Sequence, residues 1–143
     1  AAVNAELTTP TVSQTIILTR VTGRASNVPE KESIARLARH RATMCVFLSG
    51  PHLRKIVADL RLSYPDDTPL MLVYRATWPE QRVYRGTLGT VLGQTRRGDW
   101  NLTTMLLVGA ALGSDVPVES CLYSRDFTHI FRAVKKPSRK ELA

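Results

Sequence analysis

The run Thr43-Met44-Cys45-Val46-Phe47-Leu48, then Ser49-Gly50-Pro51, then Leu53, Ile56, Val57 and Leu60 at helical spacing, decides the fold class. A short apolar run bounded by turn residues fits a buried strand, and apolar positions at i, i+3, i+4 and i+7 place one stripe along a helix face. Strand, turn and helix in that order form the first part of a β-α-β unit.

Working outward, residues 15–19 (Thr-Ile-Ile-Leu-Thr) form a β-branched run that fits another buried strand, followed by a polar loop over residues 20–28. Pro29 suits a first helical turn, Glu30 and Glu32 favour its positive end, and Ile34, Leu37 and Ala38 give an apolar stripe that ends near His40 and Arg41. Downstream, Tyr64-Pro65-Asp66-Asp67 closes the second helix and residues 69–74 read as a third strand. The loop Arg75-Ala76-Thr77-Trp78-Pro79 leads into residues 81–88, whose alternation predicts an edge strand. A short helix is expected over 88–94 and a last strong strand over 103–108, with loop from Gly109 onward and a basic tail from Val134. The order is that of an α/β chain: a single α/β/α domain with a mixed, mostly buried sheet. Ligands of such sheets gather outside the carboxyl ends of strands, which nominates residues 20–29, 48–51 and 74–79.

Composition narrows the class. The chain has 143 residues, 43% of them apolar, enough for one domain with a real core. Its longest apolar-plus-glycine run, residues 105–113, is 9 residues, against the ~20 that span a bilayer. The start, Ala1-Ala2-Val3-Asn4-Ala5-Glu6, lacks the basic and apolar segments of a signal peptide and lacks a start methionine, so the chain is expected to begin partway through a longer one. Net charge is +8, with 15 Arg against 5 Lys. That excess suits a nucleic-acid backbone, and a basic nucleic-acid-binding module is the alternative reading, although aromatics are only 6% of the residues. Arginine forks bind carboxylates equally well, through paired charge-assisted hydrogen bonds.

Several chemistries find no support. Cys45 and Cys121 are far apart, without a C-x-x-C spacing or nearby histidines, so no metal site is expected; Cys45 reads as a buried thiol in a reduced, cytoplasmic chain. Neither G-x-G-x-x-G nor the P-loop signature occurs, which disfavours those nucleotide folds. His40 and His52 fall at helix ends, and nothing in the sequence sets a serine or Cys121 beside His129 to build a hydrolytic triad.

Ordered blocks carry the reading further. Glu6-Leu7-Thr8-Thr9-Pro10, Gln14-Thr15-Ile16-Ile17-Leu18-Thr19-Arg20, Val28-Pro29-Glu30, Phe47-Leu48-Ser49, Val73-Tyr74-Arg75-Ala76-Thr77-Trp78-Pro79, Arg85-Gly86-Thr87-Leu88 and Phe127-Thr128-His129 keep one order along residues 6–132. Together they resemble the tetrapyrrole (corrin/porphyrin) methylases, at the members that act on corrin precursors. The resemblance implies an S-adenosylmethionine-dependent methyltransferase of two α/β domains with the cofactor in the cleft between them. It implies that this chain is the C-terminal half: residues 1–13 a linker from an absent N-terminal domain, 14–120 the domain, and 121–143 a C-terminal loop and basic tail. The partners it implies are a precorrin-type polycarboxylate substrate, the missing N-terminal domain and a second copy in a homodimer.

Carried over by position, Leu48 resembles the family's apolar residue against the cofactor, and Tyr74, Arg75, Ala76 and Thr77 resemble the loop that holds its adenosine part. An adenine ring needs an apolar slot edged by backbone donors and acceptors, and a residue as small as Ala76 admits close approach. Arg20 and Arg24 suit substrate carboxylates. Methyl transfer from a sulfonium is an in-line displacement that needs alignment and exclusion of water, and no catalytic side chain stands out.

Overall fold

A computed structural model describes residues 4–22, 27–96 and 98–113. Five strands form one mixed sheet: β1 (Ile16–Arg20), β2 (Thr43–Phe47), β3 (Pro69–Tyr74), β4 (Arg82–Thr87) and β5 (Thr104–Val108), in the spatial order β1-β2-β5-β3-β4. β1 is parallel to β2, while β5 is antiparallel to both β2 and β3, and β4 is antiparallel to β3. β1, β2 and β3 therefore all point the same way, and their carboxyl ends lie along one edge of the sheet. The α/β class, the mixed sheet and the three converging loops agree with the expectation from sequence.

Among the described residues, three α-helices cover one face: α1 (Ile34–Leu37), α2 (Leu53–Leu60) and α3 (Val91–Gln94). The stripe Leu53, Ile56, Val57 and Leu60 is buried against Met44, Val46, Leu70, Leu72, Leu106 and Val108, the alternate residues of the three central strands. Burial of each such side chain stabilises the fold by about 1.5–3 kcal/mol relative to exposure. The opposite face of α2 carries Lys55, whose Nζ lies 2.6 Å from Asp59 Oδ2, an i, i+4 pair on the solvent side. On the second face of the sheet, Cys45, Met71, Val73 and Leu107 pack with Leu112, Ala5 and Leu7. Residues 110–113, read from sequence as loop, make a 3-10 turn that buries Ala111 and Leu112.

One strand differs from its reading. The 15–19 run is not a buried strand: β1 occupies Ile16–Arg20 at the sheet margin, with Ile16 40% and Leu18 66% exposed. Among the described residues it pairs with β2 alone, and of its side chains only Ile17 packs against the helix-covered core. A run of β-branched residues marks a strand without saying how many neighbours it has. The Cys45 thiol is buried as expected, and burial pushes its pKa up, which makes it unreactive. Tyr64 is buried too, donating from its hydroxyl to the Ala42 carbonyl, and burial pushes its pKa to about 12.

Candidate ligand-binding site

The carboxyl edge is organised around the first residue of β5. From one side, the Ser49 N–H and Oγ both donate to the Thr104 carbonyl, at 3.0 and 3.1 Å. From the other, the Arg75 N–H donates to the Thr103 carbonyl at 3.2 Å. The loops after β2 and β3 thus stand two strand spacings apart, about 10 Å, with residues 103–104 between them. Gly50 holds the first loop close: a Cβ there would lie 2.3 Å from the Asn101 carbonyl oxygen, so only glycine fits.

Both loops turn through left-handed backbone without using glycine. Leu48 has φ 55°, Arg75 φ 46° and Thr77 φ 71°. Such conformations cost about 1 kcal/mol or more apiece in residues with a Cβ, and a β-branched residue such as Thr77 is a genuine outlier there. Strain of this kind gathers where backbone and side chains must be presented to a ligand.

The side chains sort into those presented and those that brace. Leu48 is 46% exposed and Phe47, on the preceding residue, 41%, so neither is core. Ala76 is half-buried against the second-face cluster and Thr77 is exposed, its N–H donating to Gln81 Oε1 at 2.7 Å. Tyr74 is buried, and its ring is covered by two guanidinium groups, Arg75 at 5.3 Å and Arg82 at 4.7 Å. Arg75 also lies 5.2 Å from the exposed ring of Trp78 and 3.6 Å from Glu80, with its Nε buried and unpartnered. Arg82 stacks on Trp100 at 5.6 Å and donates to the Asp99 carbonyl. Tyr74 and Arg75 are thus tied into the stacked rings and guanidinium groups, whereas Leu48 and Thr77 are exposed and Ala76 is half-buried.

Along the same edge, an open groove of about 410 Å³ runs past the end of β1. Leu18, Arg20 and Phe47 line it together with Asn27, Val28, Pro29 and Glu32. Arg20 is exposed at this groove, while Arg24 lies outside the described residues. The residues nominated from sequence thus fall on one edge, with Arg20 at its β1 end and Ala76 and Thr77 at its β3 end. Sequence reasoning missed Phe47, Gln81 and Thr104, whose buried hydroxyl is unpartnered. Among the described residues, no three His, Cys, Asp or Glu side chains are grouped so as to hold a metal ion.

The family model for the Tetrapyrrole (Corrin/Porphyrin) Methylases matches residues 1–92. The chain belongs to this family. A precorrin-4 C(11)-methyltransferase of Pseudomonas aeruginosa is 42% identical over 132 residues, covering 92% of this chain and 52% of that protein. A cobalt-precorrin-4 C(11)-methyltransferase of Methanocaldococcus jannaschii is 36% identical over 137 residues, covering 95% and 52%. Among solved structures, a cobalt precorrin-4 methyltransferase of cobalamin biosynthesis superposes with TM-score 0.70 at 38% identity, over 78% of this chain and 46% of that one. A uroporphyrin-III C-methyltransferase of Thermus thermophilus, complexed with S-adenosyl homocysteine, shares the fold at 18% identity and TM-score 0.61, over 77% and 48%. This methylase chain spans about half the length of the relatives it matches.

Proposed function

We propose that residues 1–143 form one wall of an S-adenosylmethionine-dependent methyltransferase that methylates C11 of precorrin-4 in cobalamin biosynthesis. The observation that carries this reading is the pair of strained turns, left-handed at the non-glycine residues Leu48, Arg75 and Thr77, flanking the start of β5 on the carboxyl edge of a tetrapyrrole methylase sheet. An apolar side chain on one turn and a small residue with neighbouring backbone on the other fit a flat aromatic ring with polar edges.

In this reading residues 14–120 are the C-terminal domain, 1–13 lead in from an N-terminal domain that supplies the other wall, and 121–143 form a loop and basic tail. Leu48, Ala76 and Thr77 hold the adenosyl part, with Tyr74 and Arg75 behind them, and Arg20 and Arg24 face substrate carboxylates through fork-type hydrogen bonds. When bound, S-adenosylmethionine supplies a methyl carbon on a positively charged sulfur. The chain contributes by fixing that group along one line with the acceptor carbon and by excluding water, so no side chain of it serves as a nucleophile. The enzyme works in the cytoplasm as a homodimer, and residues 1–143 alone, with one wall missing, do not turn over.

Calorimetry with S-adenosylhomocysteine on the intact polypeptide tests the site. Wild type is expected to bind, and Ala76→Trp, which fills the slot, is expected to weaken binding at least about 10-fold, or 1.4 kcal/mol. Equal affinity in the two proteins overturns the assignment of this loop. Incubation of the intact polypeptide with S-adenosylmethionine and precorrin-4 tests the reaction, the expected product carrying one added methyl group by mass spectrometry.

A further inference from the structure

The loop after β3 contains two residues in left-handed backbone, Arg75 and Thr77, with Ala76 between them. Three hydrogen bonds hold this shape. The Trp78 N–H donates to the Arg75 carbonyl and the Gln81 N–H to the Trp78 carbonyl, both at 3.0 Å, so two tight turns follow one another. The third comes from a side chain: Gln81 Oε1 accepts the Thr77 N–H at 2.7 Å. Because the backbone group is a donor, only the oxygen of the Gln81 amide can face it. The first bond closes a four-residue turn with Ala76 and Thr77 at its centre, and the second closes the next turn; the bond to Gln81 adds a direct hold on the N–H of Thr77, the β-branched residue at φ 71°.

We propose that Gln81 is a positioning residue for cofactor binding: its side-chain oxygen holds Thr77 in the left-handed conformation and thereby sets the Ala76–Thr77 backbone against the adenosyl group. The inference rests on the methyltransferase reading above. Without the Gln81 bond, only the Arg75–Trp78 turn opposes the left-handed strain at Thr77, and the peptide between Ala76 and Thr77 is freer to rotate out of its place at the slot. Gln81 lies immediately before β4, outside the slot, and bears on the ligand through Thr77.

The intact polypeptide is compared as wild type, Gln81→Leu and Gln81→Glu. Leu keeps the size and removes the acceptor; Glu keeps an acceptor oxygen at the same reach. Gln81→Leu is expected to raise the dissociation constant for S-adenosylhomocysteine and the KM for S-adenosylmethionine by about 10-fold, with kcat at saturation changed less than about 3-fold. Gln81→Glu is expected to stay within about 3-fold of wild type in each. Amide hydrogen exchange without ligand supplies a second readout: Thr77 is protected in wild type and Gln81→Glu and exchanges faster in Gln81→Leu. Unchanged affinity in Gln81→Leu, or equal losses in both variants, overturns the proposal. If wild type itself fails to bind S-adenosylhomocysteine, the methyltransferase reading falls and takes the ligand role of Gln81 with it. Loss of Thr77 protection in Gln81→Leu still shows in that case that Gln81 holds the Thr77 N–H.

Discussion

Where β5 leaves the sheet, Gly109 takes φ 152° and approaches Thr43 so closely that a Cβ would stand 2.9 Å from its Cα. At the opposite edge, where β2 and β3 end, Leu48, Arg75 and Thr77 adopt left-handed backbone although each carries a Cβ. Arg41, at φ 49° near the Gly109 edge, ends a 3-10 turn as a left-handed cap, a common way to finish a helical segment. That edge turns on glycine and an ordinary cap, with one exception, Thr11 at φ 68° in the turn that leads to β1. The other retains side chains at a cost in stability, which is reasonable only where those side chains, or the backbone they hold, serve a ligand.

The strongest test of this contrast is Gly109→Ala. A methyl group at positive φ against the Thr43 backbone is expected to destabilise the fold by about 3 kcal/mol in urea unfolding, with little effect on S-adenosylhomocysteine affinity once the protein is folded. Next in size is an alkaline transition at Tyr64, which ties α2 to the start of β2 through Ala42. Its folded pKa of about 12 exceeds the ordinary value of 10.0, so the native state holds the proton more tightly. The stability this represents is fully present below pH 10 and is lost as pH rises toward 12, about 2 kcal/mol in all. Tyr64→Phe removes that slope from a pH series of urea midpoints, whereas an unchanged slope places the titration elsewhere.

The ligand edge responds in the opposite sense. Leu48→Gly is expected to leave stability unchanged or raise it by up to about 1 kcal/mol, because relief of the left-handed strain offsets the added chain entropy. The same variant loses cofactor affinity. A less stable Leu48→Gly protein with wild-type affinity would reverse the reading of that residue. The smallest effect is expected for Arg82→Lys, which keeps the charge but loses the planar stack on Tyr74 and Trp100, about 0.5–1 kcal/mol in thermal unfolding.

The two edges also differ in how far sequence foretold them. The helical stripe Leu53, Ile56, Val57 and Leu60 and the apolar run of β3 were legible because burial leaves a period in the residue types. That three loops share an edge followed from the general behaviour of α/β sheets, and the family resemblance nominated Leu48, Ala76 and Thr77 within them. What stayed hidden depended on partners distant in the chain. Nothing near Ile16 and Leu18 reveals that β1 has one neighbour, and nothing near Thr104 reveals that β5 inserts between β2 and β3. The left-handed turns were hidden for a different reason: their usual marker is glycine, and Leu, Arg and Thr stand there instead. Gln81 escaped notice because a single glutamine before a strand has no pattern of its own; its contact with Thr77 is visible only in the folded chain.

The insertion of β5 also orders events in time. The β3–β4 hairpin joins residues close in the chain and can form early, but Met44 and Val108, paired across β2 and β5, are about 60 residues apart. Until the last strand slides between them, β2 and β3 expose unpaired backbone and the two strained turns have nothing to rest on. The carboxyl-edge turns gain their partners at Thr103 and Thr104 only with β5 in place, so their shape depends on the pairings that lie farthest apart in the chain.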